Sequence, residues 1–325
     1  MLRILTPSLF LVFLVSGFWF SGVLVISSSS AQEETKSKST EPTKKKSKPA
    51  SKKAQDVASE EALKTLQKAR KSLIEQQSIQ ADILETVALG SRKFQAKGKY
   101  LQGTDLKLRL EFQVKLGGTE GSLLEVCDGQ VLWSRQTIGG QTQVTRRDVR
   151  QILEVAAENR TMPKIMLQAE LGLGGLPAML AALENTMVFT SMKQEEVDQQ
   201  QFTVIEGKWK DEYRRQFQGG AAAEKDAPLP EFIPDRIRIF LSEGTLFPRR
   251  ILYLKHRVKQ NTFRPMVSLD FTNVKLNGPL NPDEFNFVPP DGVFQQDITN
   301  LYLERLAPKK PVQKPSQLGS PTEIP

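Results

Sequence analysis

One cysteine, Cys127, and one histidine, His256, are all that the 325 residues hold of either type. An intramolecular disulfide is therefore impossible, as are two-cysteine zinc sites and Cys/His clusters. A lone cysteine after Val126 in an apolar strand reads as a small buried hydrophobe, not a reactive thiol. No cysteine stands near Ala31, so the chain is not itself a lipoprotein of the lipobox type. Charge of one sign is also missing where it would matter. The formal net charge is +8, but residues 32–56 carry eight Lys against four acids, 309–325 carry three Lys against one Glu, and Arg3 adds one. That leaves 33 basic and 32 acidic residues in 57–308. A nucleic-acid binder concentrates its excess charge on the folded surface, so this near-neutral balance argues against one.

Catalytic signatures are scarce as well. His256 lies between Lys255 and Arg257, with no serine or cysteine in a nucleophile motif. The run Gly172-Leu173-Gly174-Gly175 lacks the preceding strand and the sixth-position glycine of a dinucleotide fingerprint. Glu195-Glu196 and Asp211-Glu212 read as solvated hairpin charges. No catalytic residue, no cofactor and no metal site is expected, and the chain reads as a non-enzyme.

Long apolar runs are limited to 9–26, which follows Arg3 and precedes Ser29 and Ala31. Those small residues suit cleavage after Ala31, giving a periplasmic protein. The run is also just long enough to span a bilayer, so an uncleaved anchor in the inner membrane is the alternative. Residues 32–56, rich in Lys, Ser, Thr and Pro, are too polar to bury much surface and read as a disordered spacer. A single domain is expected over 57–305, followed by a disordered Pro- and Lys-rich tail, 306–325.

Within that domain Ser59 is placed as the N-cap of a helix over 60–77, with Leu63, Leu66, Leu73 and Ile74 as its apolar stripe. At Ile79 the period changes to two. Ile79, Ala81, Ile83, Glu85, Val87 and Leu89 share one phase of a strand, and Gly90-Ser91 turns it into another over 93–102. The clearest strand follows: Leu106, Leu108, Leu110, Phe112, Val114 and Leu116 alternate with polar residues without a fault. Segments 122–127 and 130–137 form a hairpin, with Asp128-Gly129 as a type I′ signal. Gly139-Gly140 turns into 141–146. A helix spans 148–159, and Pro163 opens an apolar helical stretch broken by glycines, through residue 183. Strands resume at 187–193, 201–210, 235–241, 249–255 and 266–276, with a Gly-, Ala- and Pro-rich loop at 218–231. The fold class is α+β, with about eleven strands.

Three motifs in order carry a resemblance. Asp128-Gly129 followed by Leu132-Trp133 is similar to the D-G-x-x-L-W hairpin of the periplasmic lipoprotein carriers (LolA-like). The polar strand 141–145 leads into an apolar helix region, as in that family. Phe285, Phe287, Pro289, Pro290 and Gly292 match its terminal F-x-F-x-P-P-x-G-V. The resemblance implies an incomplete antiparallel barrel wrapped around helices that act as a lid, and a role in shielding acyl chains. The Arg-Pro step of the classical carriers is absent from the corresponding strand, where residues 111–114 stand instead.

These readings converge on an expected apolar cavity. Leu106, Leu108, Leu110, Phe112 and Val114 would form its wall. Ile165, Met166, Leu167, Leu173, Leu176, Met179 and Leu180 would form a lid, hinged at Gly172, Gly174 and Gly175. The expected partners are lipid or lipoprotein acyl chains, close to a membrane, with carrier or chaperone as the role. The alternative is a membrane-tethered sensor or scaffold of the same fold that binds an envelope protein.

Overall fold

Alternation in the sequence becomes a single curved sheet. The computed structural model describes residues 49–90, 92–116, 118–159, 165, 168, 173–219 and 227–306. The expected leader, the spacer before residue 49, the tail beyond 306, and Met166, Leu167 and Gly172 lie outside those residues. In chain order the elements are α1 (Pro49–Glu75), β1 (Ile79–Leu89), β2 (Arg92–Gln102), β3 (Lys107–Leu116), β4 (Thr119–Asp128), β5 (Val131–Ile138) and β6 (Gln141–Asp148). Then come α2 (Val149–Asn159), α3 (Gly175–Thr186), β7 (Met187–Val197), β8 (Gln200–Trp209) and α4 (Asp211–Phe217). The last are β9 (Arg236–Ser242), β10 (Pro248–Arg257), β11 (Thr262–Leu276), β12 (Gln295–Asp297) and α5 (Thr299–Leu306). Twelve strands form one open sheet in the order β12-β6-β5-β4-β3-β2-β1-β11-β10-β9-β8-β7. Every pairing is antiparallel except β12 with β6. The β1–β6 and β7–β11 meanders are joined by β11, which pairs with β1.

One face of this sheet is apolar and concave. Alternate residues of each strand point to it, because the side-chain period of a strand is two. Helices cover its flanks. α1 presents Ala62, Leu66, Ala69 and Leu73, all buried, and packs against β7 and α3. Arg70 ties the two helices by a bidentate ion pair to Glu184, with Nε to Oε1 at 2.7 Å and Nη2 to Oε2 at 3.2 Å. On the other flank α2 packs against β5 and α5. Asp148 caps α2, its Oδ1 accepting from Gln151 N at 2.8 Å. The convex face of β3 to β5 is covered by the segment after β11. Phe285 is buried there, Arg109 Nη1 donates to Glu284 O at 2.9 Å, and Trp133 stacks on Phe287 with centroids 5.4 Å apart.

Several expectations need correction. α1 begins at Pro49, inside the segment read as a spacer and ten residues before the expected helix start at Ser59. Ser59 is inside that helix and donates to the Phe189 carbonyl, so it is not a cap. Ile74 is half-exposed, and the true stripe runs through the alanines. Leu106 precedes β3 in a turn at φ 66, which takes it out of the strand. The 128–131 turn centres on Gly129 and Gln130, and only Gly129 has positive φ, at 103. A type I′ turn needs both central residues there, and that condition is met by Gly139 and Gly140 at φ 56 and 81. Asp211 and Glu212 start α4, where carboxylates suit the N-terminal helix dipole, and are not hairpin charges. β12 and α5 raise the strand count to twelve and carry the folded part to Leu306.

Candidate functional site

The middle strands of the sheet lie between the two helical flanks. α1 and α3 cover the β7 side, and α2 and α5 cover the β5 and β6 side. Among the expected wall residues, Leu108, Leu110, Phe112 and Val114 share the concave face of β3 and are all buried, at 3–8% exposure. Leu106 is half-buried against the same core but stands outside the row. The wall continues across the sheet through registered pairs. Val114 faces Ala96, Ala96 faces Glu85, Glu85 faces Leu269, Leu269 faces Ile251 and Ile251 faces Ile239. Each apolar member of that row is buried. An aromatic chain runs beside it, with Tyr100 on Phe271 at 6.4 Å and Phe271 on Phe247 at 5.9 Å.

Glu85 is the exception in this row. It is 1% exposed, and neither carboxyl oxygen has a hydrogen-bond partner in the protein. Removal from water disfavours its charged form and pushes its pKa from 4.5 up to about 8. Tyr253 stands on the same face of β10, two registered pairs along from Ile251, and its pKa is raised by burial and then by the Glu85 charge. The sequence shows Glu85 in the apolar phase of β1, and that misplaced carboxylate is the signal by which it could have been singled out.

The expected lid is partly represented. Leu173, Leu176 and Leu180 are buried in the core, and Met179 is half-buried against it. Ile165 packs on a separate cluster of Ala178, Ala181 and Ala182. Two of the expected hinge residues adopt left-handed backbone, Gly174 at φ 83 and Gly175 at φ 61. At Gly175 a Cβ would also collide with the Tyr100 hydroxyl. That hydroxyl accepts from Leu176 N at 2.9 Å and bonds Gln102, so it fastens the first turn of α3 to β2. Tyr100 gave no sign of this role in the sequence, because it sits in the inward phase like any core aromatic.

Toward β4–β6 the concave face turns polar. Glu125 faces Leu110 and Ser134, and Arg147 faces Leu132. Burial raises the Glu125 pKa, and the Arg147 charge opposes that shift. Arg147 bonds the Tyr302 hydroxyl and lies 4.9 Å from its ring, holding α5. Cys127 is buried nearby, and desolvation pushes its thiol up to about 11, far from a reactive thiolate. His256 Nε2 lies 3.1 Å from Asn261 Oδ1 at the β10–β11 hairpin, away from this face. Among the described residues no three His, Cys, Asp or Glu side chains gather where they could hold a metal.

The motif residues divide between structure and surface. Asp128 Oδ1 accepts from Gln130 N and Val131 N at 2.7 and 2.8 Å, which builds the hairpin turn. Leu132 is buried on the concave face, whereas Trp133 and Phe287 meet on the convex one. Pro289, Pro290 and Gly292 follow in an irregular segment leading to β12, with Gly292 at φ 72.

A half-open sheet of this kind, with helices over its concave face, has similar solved structures. The MucA/MucB complex of Pseudomonas aeruginosa matches at TM-score 0.35 and 11% identity, over 70% of this chain and 61% of that chain. The lipoprotein LppX of Mycobacterium tuberculosis matches at 0.36 and 11%, over 69% and 99%. A LolA superfamily protein of Nitrosomonas europaea matches at 0.27 and 12%, over 70% and 97%. The chain thus spans about three-fifths of the matched MucA/MucB chain. No protein-family model matches the sequence, and no curated protein does. At this identity and these TM-scores none of the likenesses speaks to function.

Proposed function

We propose that this is an exported envelope protein that holds the acyl chain of a lipid or lipoprotein against its concave sheet face, as a carrier or chaperone. The observation that carries the reading is the buried row on the middle strands, apolar except at Glu85 and set between two helical flanks. Burial of apolar surface gives roughly 25 cal/mol per Å². At about 0.8 kcal/mol per methylene, a chain of about sixteen carbons supplies roughly 12 kcal/mol gross. Ordering costs reduce that figure, yet no specific polar contact is needed for capture. The wall is covered in this structure, so uptake requires the cover to move. α3 is the candidate, because its start is a pair of left-handed glycines; its movement would break the Tyr100 hydroxyl bond, the Arg70–Glu184 pair and the bonds of Asn185 and Thr186 to Tyr213 and Lys210, and would unbury its leucines.

Membrane proximity has its own support. Ser59 marks where α1 meets the sheet, at Phe189 near the start of β7. The ten helical residues before it, about 15 Å at 1.5 Å each, therefore point past the sheet end where β1 turns into β2 and β10 into β11. That end exposes Arg92, Lys93, Arg257 and Lys259, with Val258 75% exposed between the last two. Basic side chains around an exposed apolar tip suit an anionic bilayer surface. The same geometry supports the second reading, a tethered sensor or scaffold held by residues 9–26. No described helix is long and apolar enough to cross a membrane.

The test is uptake of a fluorescent fatty-acid probe by wild type and by Leu110→Glu. A charge at that wall position is expected to abolish uptake. Undiminished uptake by a folded variant would place the ligand elsewhere.

A further inference from the structure

The geometry points to Glu85 as a recognition group for the carbonyl head of the acyl ligand, which we propose seats its ester or acid end at the centre of the sheet. The inference rests on the acyl-binding reading and adds the ligand's polarity and orientation to it. Glu85 is 1% exposed, lies in mid-row between Ala96 and Leu269, and has no partner inside the protein. Buried polar side chains are paired in most proteins, and an orphan of this kind points to a group supplied from outside. An apolar residue would pack there without cost. A neutral carboxyl offers one O–H donor and retains acceptor capacity. Its complement on an acyl ligand is a carbonyl oxygen, which accepts that proton while the hydrocarbon tail lies along Ala96, Val114 and Phe112. A permanently cationic head fits less well, because Glu85 is held neutral by its surroundings. The ionisable groups disposed around this face are Tyr100 on β2, Tyr253 on β10, Glu125 and Cys127 on β4 and Arg147 on β6. Arg70 on α1 and Glu184 on α3 are committed to each other.

Ester-linked and free fatty acids share this chemistry, and the assay separates them. Binding of three pyrene-labelled probes of equal length is measured: a fatty acid, its methyl ester, and the corresponding alkane. For wild type, the ester-to-alkane affinity ratio is expected to fall roughly tenfold in Glu85→Leu, the worth of one hydrogen bond. Glu85→Gln, whose amide still donates, is expected to keep most of that ratio. Wild-type ester affinity is expected to drop between pH 7 and pH 9, where ionised Glu85 can no longer donate, while Glu85→Gln shows no such drop. The methyl ester does not titrate, so this change reports on the protein. Tighter binding of the acid than of the ester at pH 7 would assign the source as free fatty acid and the reverse as an ester-linked chain, whereas an ester affinity unmoved across that pH range would overturn the role given to the Glu85 proton. An ester-to-alkane ratio unchanged in Glu85→Leu overturns the assignment while leaving acyl binding intact. Failure of wild type to bind any of the three overturns both. Thermal unfolding of both variants confirms that a folded protein is being compared.

Discussion

Replacing Glu85 by glutamine keeps the shape of the side chain and removes its titration, and the consequence for stability can be worked out without any ligand. The folded pKa is about 8 against 4.5 for an ordinary glutamate. Between those values the folded chain keeps a proton that the unfolded chain has lost, so stability falls as pH rises. The stabilising linkage is fully present below pH 4.5 and is spent once the pH has passed through 8. From pH 5 to pH 8 one such group costs the wild type about 3–4 kcal/mol, with partial titration at both limits. In a domain of this size that corresponds to a difference on the order of 10 °C in Tm. Circular dichroism melts of wild type and Glu85→Gln at pH 5, 6, 7 and 8 measure it. All other titrations are common to both proteins and cancel in the comparison. The wild-type Tm is expected to fall steadily below that of the variant as pH rises. Parallel profiles would show that Glu85 ionises normally, and the buried, unpartnered carboxyl would be refuted.

Other perturbations address α3 and the basic sheet end proposed to meet a membrane. Gly175→Ala forces an L side chain to φ 61 against the Tyr100 hydroxyl, with an expected loss of about 1–3 kcal/mol in denaturant melts. Arg70→Met leaves Glu184 partly buried and unpaired; a loss of about 1.5–3 kcal/mol is expected, together with faster probe exchange as α3 loosens, read by stopped-flow fluorescence. Arg257→Glu with Lys259→Glu is expected to weaken co-sedimentation with anionic vesicles by at least tenfold at low salt, from about 1 kcal/mol per basic residue. Neutral vesicles should show no difference between the two proteins.

How much of this was legible in the sequence depended on where local pattern and tertiary context agree. β3 was readable because Leu108, Leu110, Phe112 and Val114 all bury on one face, and the pattern is the packing. Leu106 looked like part of the series, but polarity cannot reveal a residue forced to φ 66. α2 was readable from Asp148 and its apolar stripe. α4 and α5 were not, because a helix of seven or eight residues offers two turns of periodicity at most. Ser59 has the chemistry of a cap, yet α1 runs through it, since Ala62, Leu66, Ala69 and Leu73 bury against the sheet side. The buried apolar row of β3 was legible as alternation within one strand. Its continuation through Ala96, Glu85, Leu269 and Ile251 was not, because cross-strand register belongs to the folded chain. Latches such as Tyr100 to Leu176 N and Arg70 to Glu184 join residues 76 and 114 positions apart, and no sequence spacing announces them.

Native mass spectrometry of the protein purified from its own envelope, followed by lipid extraction, bears most directly on whether the sheet holds hydrocarbon. A fraction of the protein is expected to carry an added mass that extraction identifies as an acylated species. That mass should be absent from Leu110→Glu prepared in the same way. An unadorned mass for wild type, with no acyl material in the extract, would contradict the carrier reading and leave only the architecture standing.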